Sequence, residues 1–483
     1  MHKIGKARRI LLPRFVLTEV SDETDPAGIH ASDAVMHYFY RPKLVPDEGK
    51  RRDGKPTWMK HQFNIFPVVL DSTGAPWAEA MIYVLARLEN SANPSMSTLA
   101  SIADDLTAYR RYLDEYDIDW TVFPRNKLER PTYRFNGHLK FSIGAGEVAP
   151  ATAKRRMGNV VAFYRSLIYD EKVFTPSNPP WIEKDSFVDF LDAQGFRHAK
   201  KIKSTNLAIK TPVQDDPYDG TIEDGARLRP LSRHEQETLL DVLAGLGNTQ
   251  MTLIHLFALL SGARIQTILT LRIKDLFMPL PRDSNAEGRI PVGYGTGIDT
   301  KFDKRMTLHL PAWFFEKLKI YAASPEGISR RLRAVGGDCP NQYLFLSRRG
   351  MPLYQSKSDA AFFDCENRLR HVKSGQAVRQ FIIERVIPSI RAIEGFERFS
   401  YRFHDLRATA GMNWTDYQLT LVSHRKTTLH EAREFVRVRM GHDSSATTDR
   451  YLKFRERLQQ VREVEELHED YLRVLCDRMS LGQ

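Results

Sequence analysis

The chain has 483 residues, 42% of them hydrophobic and 27% charged, a balance that excludes disordered and fibrous proteins and a length that calls for two or three cores rather than one. Its 71 lysines and arginines against 60 aspartates and glutamates leave a formal charge of +11. That excess suits a polyanionic partner, nucleic acid first, although a basic enzyme with scattered surface lysines would show it equally.

The cysteines Cys339, Cys365 and Cys476 lie far apart, suggesting neither a disulfide framework nor a zinc site, and no stretch approaches the ~18 apolar residues of a membrane span. A reducing, cytoplasmic setting without export or membrane embedding is the expectation.

Residues 1–90 mix charge and proline before an apolar run from Phe63 to Leu70, a turn at Asp71-Ser72-Thr73-Gly74 and a helical pattern from Trp77 to Leu88. This predicts a small α/β region of unassigned role. Residues 95–195 predict a helical domain with two amphipathic helices, one marked by Leu99, Ile102, Leu106, Tyr109 and Leu113, the other by Val160, Val161, Tyr164 and Leu167. The second opens at Pro150 and carries Lys154, Arg155 and Arg156 on its first turns. A solvated basic face explains such a run, and contact with DNA phosphates is its functional reading.

Residues 196–229, with Lys200, Lys201 and Lys203 followed by the acidic turn-rich Asp215–Gly220, have the composition of a linker. A capping box, Ser232-Arg233-His234-Glu235, then opens a domain over 230–460. Its helix Met251–Leu260 runs into the Gly-interrupted turn Ser261-Gly262-Ala263-Arg264, and a hairpin with Lys301 and Lys304 near its tip follows. Leu458, Val461, Val464, Leu467, Tyr471, Leu472 and Leu475 mark a final helix over 461–483, a stripe that fits core packing or docking on a neighbouring copy. The fold class expected is mainly α with a small β-sheet, α+β.

Two spacings carry chemistry: His404-Asp405-Leu406-Arg407, and Met440-Gly441-His442 with Tyr451 nine residues beyond His442. Taken singly each residue is ordinary; Tyr451 is one of 18 tyrosines, and most tyrosines in amphipathic stretches are core residues. Together they form a phosphodiester-cutting set. Arg264 and Arg407 are fork-shaped permanent cations suited to the non-bridging oxygens of one phosphate. His404 lies one helical turn before Arg407 and can hold or accept the tyrosine proton. A phenol with a pKa of about 10 needs such a field to act as a nucleophile at neutral pH. His442 can bond the phosphate or position Tyr451, and Lys301, with Lys304 as the alternative, can protonate the leaving oxygen.

The order Arg264, Lys301, His404-x-x-Arg407, Met440-Gly441-His442, Tyr451 resembles the tyrosine recombinase (phage integrase) family. The likeness covers about 230–460, and the 97–169 module resembles the core-binding DNA clamp that precedes that catalytic domain. It implies attack by Tyr451 on a scissile phosphate, a 3′-phosphotyrosyl intermediate, release of a 5′-hydroxyl, and strand exchange without cofactor or metal. It further implies double-stranded DNA sites as partners, a homotetramer on DNA, accessory proteins of a mobile element, and a nucleoid-associated prokaryotic setting. Two positions depart from the family pattern: Thr267, where an acid often follows the first arginine, and Ala408, where a second histidine often follows the HxxR box. A type IB topoisomerase-like relaxing enzyme and a non-catalytic DNA-binding regulator are the competing readings.

Overall fold

A computed structural model describes residues 5–21, 39–46, 59–91, 94–191, 197–210, 220–277, 287–361 and 371–456. The proposed tail helix over 461–483, Cys365 and Cys476 lie outside them. The chain forms two compact units, one of residues 1–214 with 358–372 and one of 215–357 with 373–483. Both are mainly helical, and every sheet among the described residues has two strands.

In the first unit the strand Arg8–Val16 pairs antiparallel with Gln62–Leu70, Arg8 opposite Leu70 and Val16 opposite Gln62. The second strand is buried over nearly its whole length, because the helices Ala78–Glu89 and Met96–Glu115 pack against it. One core therefore joins Phe66, Val69 and Tyr83 to Leu106, Tyr109, Phe135, Tyr164 and Leu207. One core thus runs across the expected division near residue 90: the buried strand Gln62–Leu70 packs on Met96–Glu115, beyond that point, and the N-terminal region completes the helical core. At its centre the Tyr109 hydroxyl meets that of Tyr164 at 2.7 Å, and Tyr164 donates to the Trp120 carbonyl at 2.8 Å.

The two expected amphipathic helices form as Met96–Glu115 and Pro150–Arg165, with a third long helix, Pro131–Gly144, between them. Pro131 and Pro150 each stand in the first turn, where the missing N–H costs nothing. Among the described residues, part of the expected linker forms a strand. Arg197–Thr205 pairs with Glu183–Leu191, with Lys200 opposite Val188, Lys201 opposite Phe187 and Lys203 opposite Asp185. Lysines are frequent on such two-stranded edges, where they discourage further pairing.

The second unit begins upstream of the expected start at 230, with the short ladder Ile222–Glu223 and Arg227–Leu228. The capping box forms as expected: Glu235 N–H donates to Ser232 Oγ at 3.2 Å, and Ser232 N–H to Glu235 Oε2 at 2.7 Å. The helix Arg233–Gly245 then packs on the buried helix Thr249–Ser261. A hairpin of Glu287–Val292 and Met306–Pro311 follows. The helices Ala312–Ala323, Asp405–Ser423 and Leu429–Met440 complete the part that carries the candidate site. No described helix is long and apolar enough to cross a membrane.

Candidate active site

Two helix ends build the floor of the site. The helix Thr249–Ser261 stops at Gly262, with φ +62°, and the helix Leu429–Met440 stops at Gly441, with φ +64°. Glycine takes this left-handed cap without the Cβ penalty. The space is closed as well: a Cβ on Gly262 would lie 3.0 Å from the Met440 sulfur, and one on Gly441 2.7 Å from the Met306 sulfur.

Both ends turn a carbonyl toward Arg407, in the first turn of Asp405–Ser423. Arg407 Nη1 donates to the Gly262 carbonyl and Nη2 to the Met440 carbonyl, each at 2.8 Å, while Nε donates to Asp224 Oδ2 at 2.7 Å. The negative ends of two helix dipoles thus hold a buried cation in fixed orientation.

Asp224 is the point on which the other groups converge. Tyr451 Oη donates to its Oδ2 at 3.1 Å, His442 Nε2 lies 3.3 Å from the same oxygen, and Arg264 Nη2 lies 3.8 Å from Oδ1. A carboxylate only accepts, so Nε2 carries the His442 proton toward it and Nδ1 accepts from the Thr448 hydroxyl at 3.0 Å. Burial alone would raise the pKa of Asp224, but the His442 hydrogen bond and the charges of Arg407, His442 and Arg264 overcome it and hold the carboxyl well below its ordinary range.

Tyr451, on the helical segment 445–456, is fully buried and packs with Ile222, Met412, Val436 and Met440. Gly411 makes room for its ring, since a Cβ there would come within 2.5 Å of Tyr451 Cε1. Burial raises the phenol well above its usual pKa, the Asp224 charge adds to that, and the two arginines oppose it.

His404 is the N-cap residue of Asp405–Ser423. Burial, then the charges of Arg407 and Arg264, lower its pKa to about 4, so it is neutral at pH 7. His442 is lowered too, by burial against the pull of Asp224. Arg264, at the N-cap of Ile265–Leu269, falls to about 10 through burial and the nearness of Arg407.

The two candidate lysines separate. Lys304 Nζ donates to the Gly441 carbonyl at 2.8 Å and pairs with Asp443, which fastens the turn leading to His442. Lys301 Nζ comes within 3.0 Å of where a Cβ on Gly225 would stand, beside the Asp224 turn. Phe302 and Asp303, which follow Lys301, hold φ values of 60° and 53°, a strained conformation for side-chain-bearing residues.

All six candidate catalytic residues therefore belong to one unit, with Arg264, Arg407, His442 and Tyr451 gathered directly on Asp224. Asp224 was not anticipated. Its Glu223-Asp224-Gly225 context reads as a linker turn, and the available signal was indirect: Arg264 and Arg407 together, with Thr267 supplying no acid, require an anion from elsewhere in the chain.

Of the candidate DNA contacts in the first unit, Lys154 and Lys203 are exposed. Arg155, also exposed, and the part-buried Arg156 pair with buried Asp105, at 3.1 and 3.7 Å. Lys200 and Lys201 are placed by their backbone register alone. No group of three or more His, Cys, Asp or Glu side chains among the described residues is placed to share a metal ion.

No protein-family model and no curated protein sequence matches the chain. Among solved structures it is similar to the XerH site-specific recombinase bound to its difH substrate, with 16% identity over 80% of this chain and 88% of that one, and a TM-score of 0.41. It is also similar to a lambda integrase dimer bound to a COC′ core site, with 13% identity, 77% and 94% covered, and a TM-score of 0.41. The Tn1549 transposon integrase in complex with circular intermediate DNA gives 14% identity, 77% and 94% covered, and a TM-score of 0.42. Scores below 0.5 at such identities describe partial backbone overlap, so the functional weight rests on the side-chain cluster.

Proposed function

We propose that the chain is a site-specific DNA recombinase, an integrase of a mobile element, that breaks and rejoins strands through a 3′-phosphotyrosyl intermediate. The observation that carries this reading is the meeting of Arg264, Arg407, His442 and the Tyr451 hydroxyl on a single anionic group. Such a cluster fits one phosphate beside a nucleophilic phenol.

In the reaction the Tyr451 oxygen bonds to phosphorus and the bond to the 5′-oxygen breaks. The phenolic proton passes to a neutral acceptor, and His404, unprotonated at pH 7, is the one proposed. Lys301 protonates the departing 5′-oxygen. Arg407, held by helix-end carbonyls, and Arg264 stabilise the charge that accumulates on the phosphorane, an effect worth ~3–4 kcal/mol for a single well-placed donor. Reversal of these steps with a 5′-hydroxyl from a partner duplex gives strand exchange in a tetramer on paired sites.

The test is a nicked suicide duplex bearing the ends of the element. A covalent protein–DNA adduct that Tyr451→Phe abolishes is the expected result; an adduct that survives the substitution rejects the nucleophile. Relaxation of supercoiled plasmids that lack any such site would redirect the reading to a topoisomerase.

A further inference from the structure

We infer that Asp224 is a built-in stand-in for the scissile phosphate, and that the 222–228 turn carrying it withdraws before Tyr451 can act. The inference rests on the reading of the cluster as a phosphate site.

Three observations carry it. First, the carboxylate is bound as a phosphate would be: Arg407 Nε and the Tyr451 hydroxyl reach one oxygen at 2.7 and 3.1 Å, His442 Nε2 reaches it at 3.3 Å, and Arg264 faces the other oxygen at 3.8 Å. A carboxylate offers a guanidinium the same paired oxygens as a phosphate, and both cannot hold the same donors at once. Second, one carboxylate faces two guanidinium groups, with the Lys301 ammonium beside Gly225, so the site is built for more negative charge than Asp224 supplies. A phosphorane carries that second charge. Third, Tyr451 has no exposure while the turn is in place, and Ile222 from the same turn closes the apolar side of its seat.

The turn is built to leave. Its ladder is two residue pairs long, Ile222 with Leu228 and Glu223 with Arg227. A ladder of this size has little stability of its own. Gly225, at φ +72°, forms the bend. Arg450, next to Tyr451, grips the Glu223 carbonyl at 2.7 Å, so displacement of the turn is coupled to the helix that carries the nucleophile. A role for Asp224 as the base that takes the tyrosine proton fails on space, since it would have to stay where the phosphate binds.

The experiment uses the full chain and orthovanadate as the probe, with binding measured by calorimetry. A stand-in taxes every external anion, so Asp224→Asn and Asp224→Ala should bind orthovanadate ~tenfold or more tightly than the native chain; affinity equal to or weaker than native overturns the inference. Should those variants fail to fold, hydrogen exchange on the native chain decides. Peptides over 220–230 should exchange faster when orthovanadate or duplex DNA saturates the protein, and unchanged or slower exchange overturns it. Tighter orthovanadate binding without a Tyr451–DNA adduct would keep the stand-in and reject the recombinase. An adduct with neither anion effect would reject the stand-in alone.

Discussion

Asp105 in the first unit and Asp224 in the second are both buried, and each faces two arginines. At Asp105 the arginines remain wet: the Arg155 and Arg156 side chains keep 46% and 30% of their exposure. Burial prevails there and raises the carboxyl pKa, despite the hydrogen bond from Asn159. At Asp224 the Arg407 side chain keeps 3%, and its other hydrogen bonds go to the carbonyls of Gly262 and Met440. In the first case solvated cations settle a buried acid and fasten Met96–Glu115 to Pro150–Arg165. In the second, a dry cation is held by two helix-end carbonyls as well as by the acid. Arginine count around a carboxylate does not distinguish a fastening from an anion site; what holds the arginines does.

The sharpest way to break this contrast is to neutralise each acid. Asp224→Asn leaves Arg407 buried without its counter-charge, a loss that typically costs about 3–5 kcal/mol. Asp105→Asn leaves arginines that can turn to water and should cost about 1 kcal/mol or less. Urea unfolding measures both, and saturating inorganic phosphate should restore stability to the Asp224 variant alone. Equal costs, or equal rescue, would erase the distinction.

Acid should separate the two places next. His404 has a folded pKa of about 4 against an ordinary 6.5, through burial and the charges of Arg407 and Arg264. Its contribution is complete above pH 6.5 and is lost as pH falls toward 4, about 3 kcal/mol at ~1.4 kcal/mol per pH unit. His255 adds a loss of the same sign. It is fully buried, bonded to the Met251 carbonyl and the Tyr401 hydroxyl, and burial brings it to about 4. Asp224, whose pKa is depressed, gives up its share only below 3.8. Asp105 has the opposite sign, because its raised pKa makes protonation favour the folded state. Hydrogen exchange from pH 7 to 4.5 should therefore loosen the second unit's Asp405–Ser423 helix before the first unit's Met96–Glu115. The reverse order would contradict the assignment.

Gly411 offers a smaller, more local perturbation with no counterpart at Asp105. Gly411→Ala pushes a methyl into the Tyr451 ring, an overpacking worth roughly 1–3 kcal/mol, partly offset by the better helix propensity of alanine, ~1 kcal/mol. Net stability should fall by about 1 kcal/mol while the Tyr451–DNA adduct forms much more slowly. Unchanged adduct formation would mean that the seat observed for Tyr451 is unrelated to its action.

The residues at one helix start and one helix end, His404 with Arg407 and His442 with Tyr451, were legible because local spacing places them on connected elements. The capping box at Ser232 and the hairpin carrying Lys301 were legible for the same reason. Asp224 was not, since its partners lie up to 227 positions away and its own surroundings carry only turn residues. The shared core of the first unit escaped likewise: the pairing of Arg8–Val16 with Gln62–Leu70 depends on a register that neither segment encodes alone. Arg155 and Arg156 show the converse failure, a charge run correctly seen whose partner, Asp105, stands on another helix.

That run gives the mildest test. Lys154 is exposed, whereas Arg155 is committed to Asp105 and Ser101. If the basic face meets DNA phosphates, each free cation contributes about one released counterion to the slope of log affinity against log salt. Lys154→Ala should then reduce that slope by about 1 and leave unfolding unchanged. Arg155→Ala should do the reverse, lowering stability by up to ~1 kcal/mol while barely moving the slope. A larger slope change from Arg155 than from Lys154 would mean that its pairing with Asp105 gives way on DNA. The fastening in the first unit would then be exchangeable for phosphate, as the Asp224 contact is inferred to be.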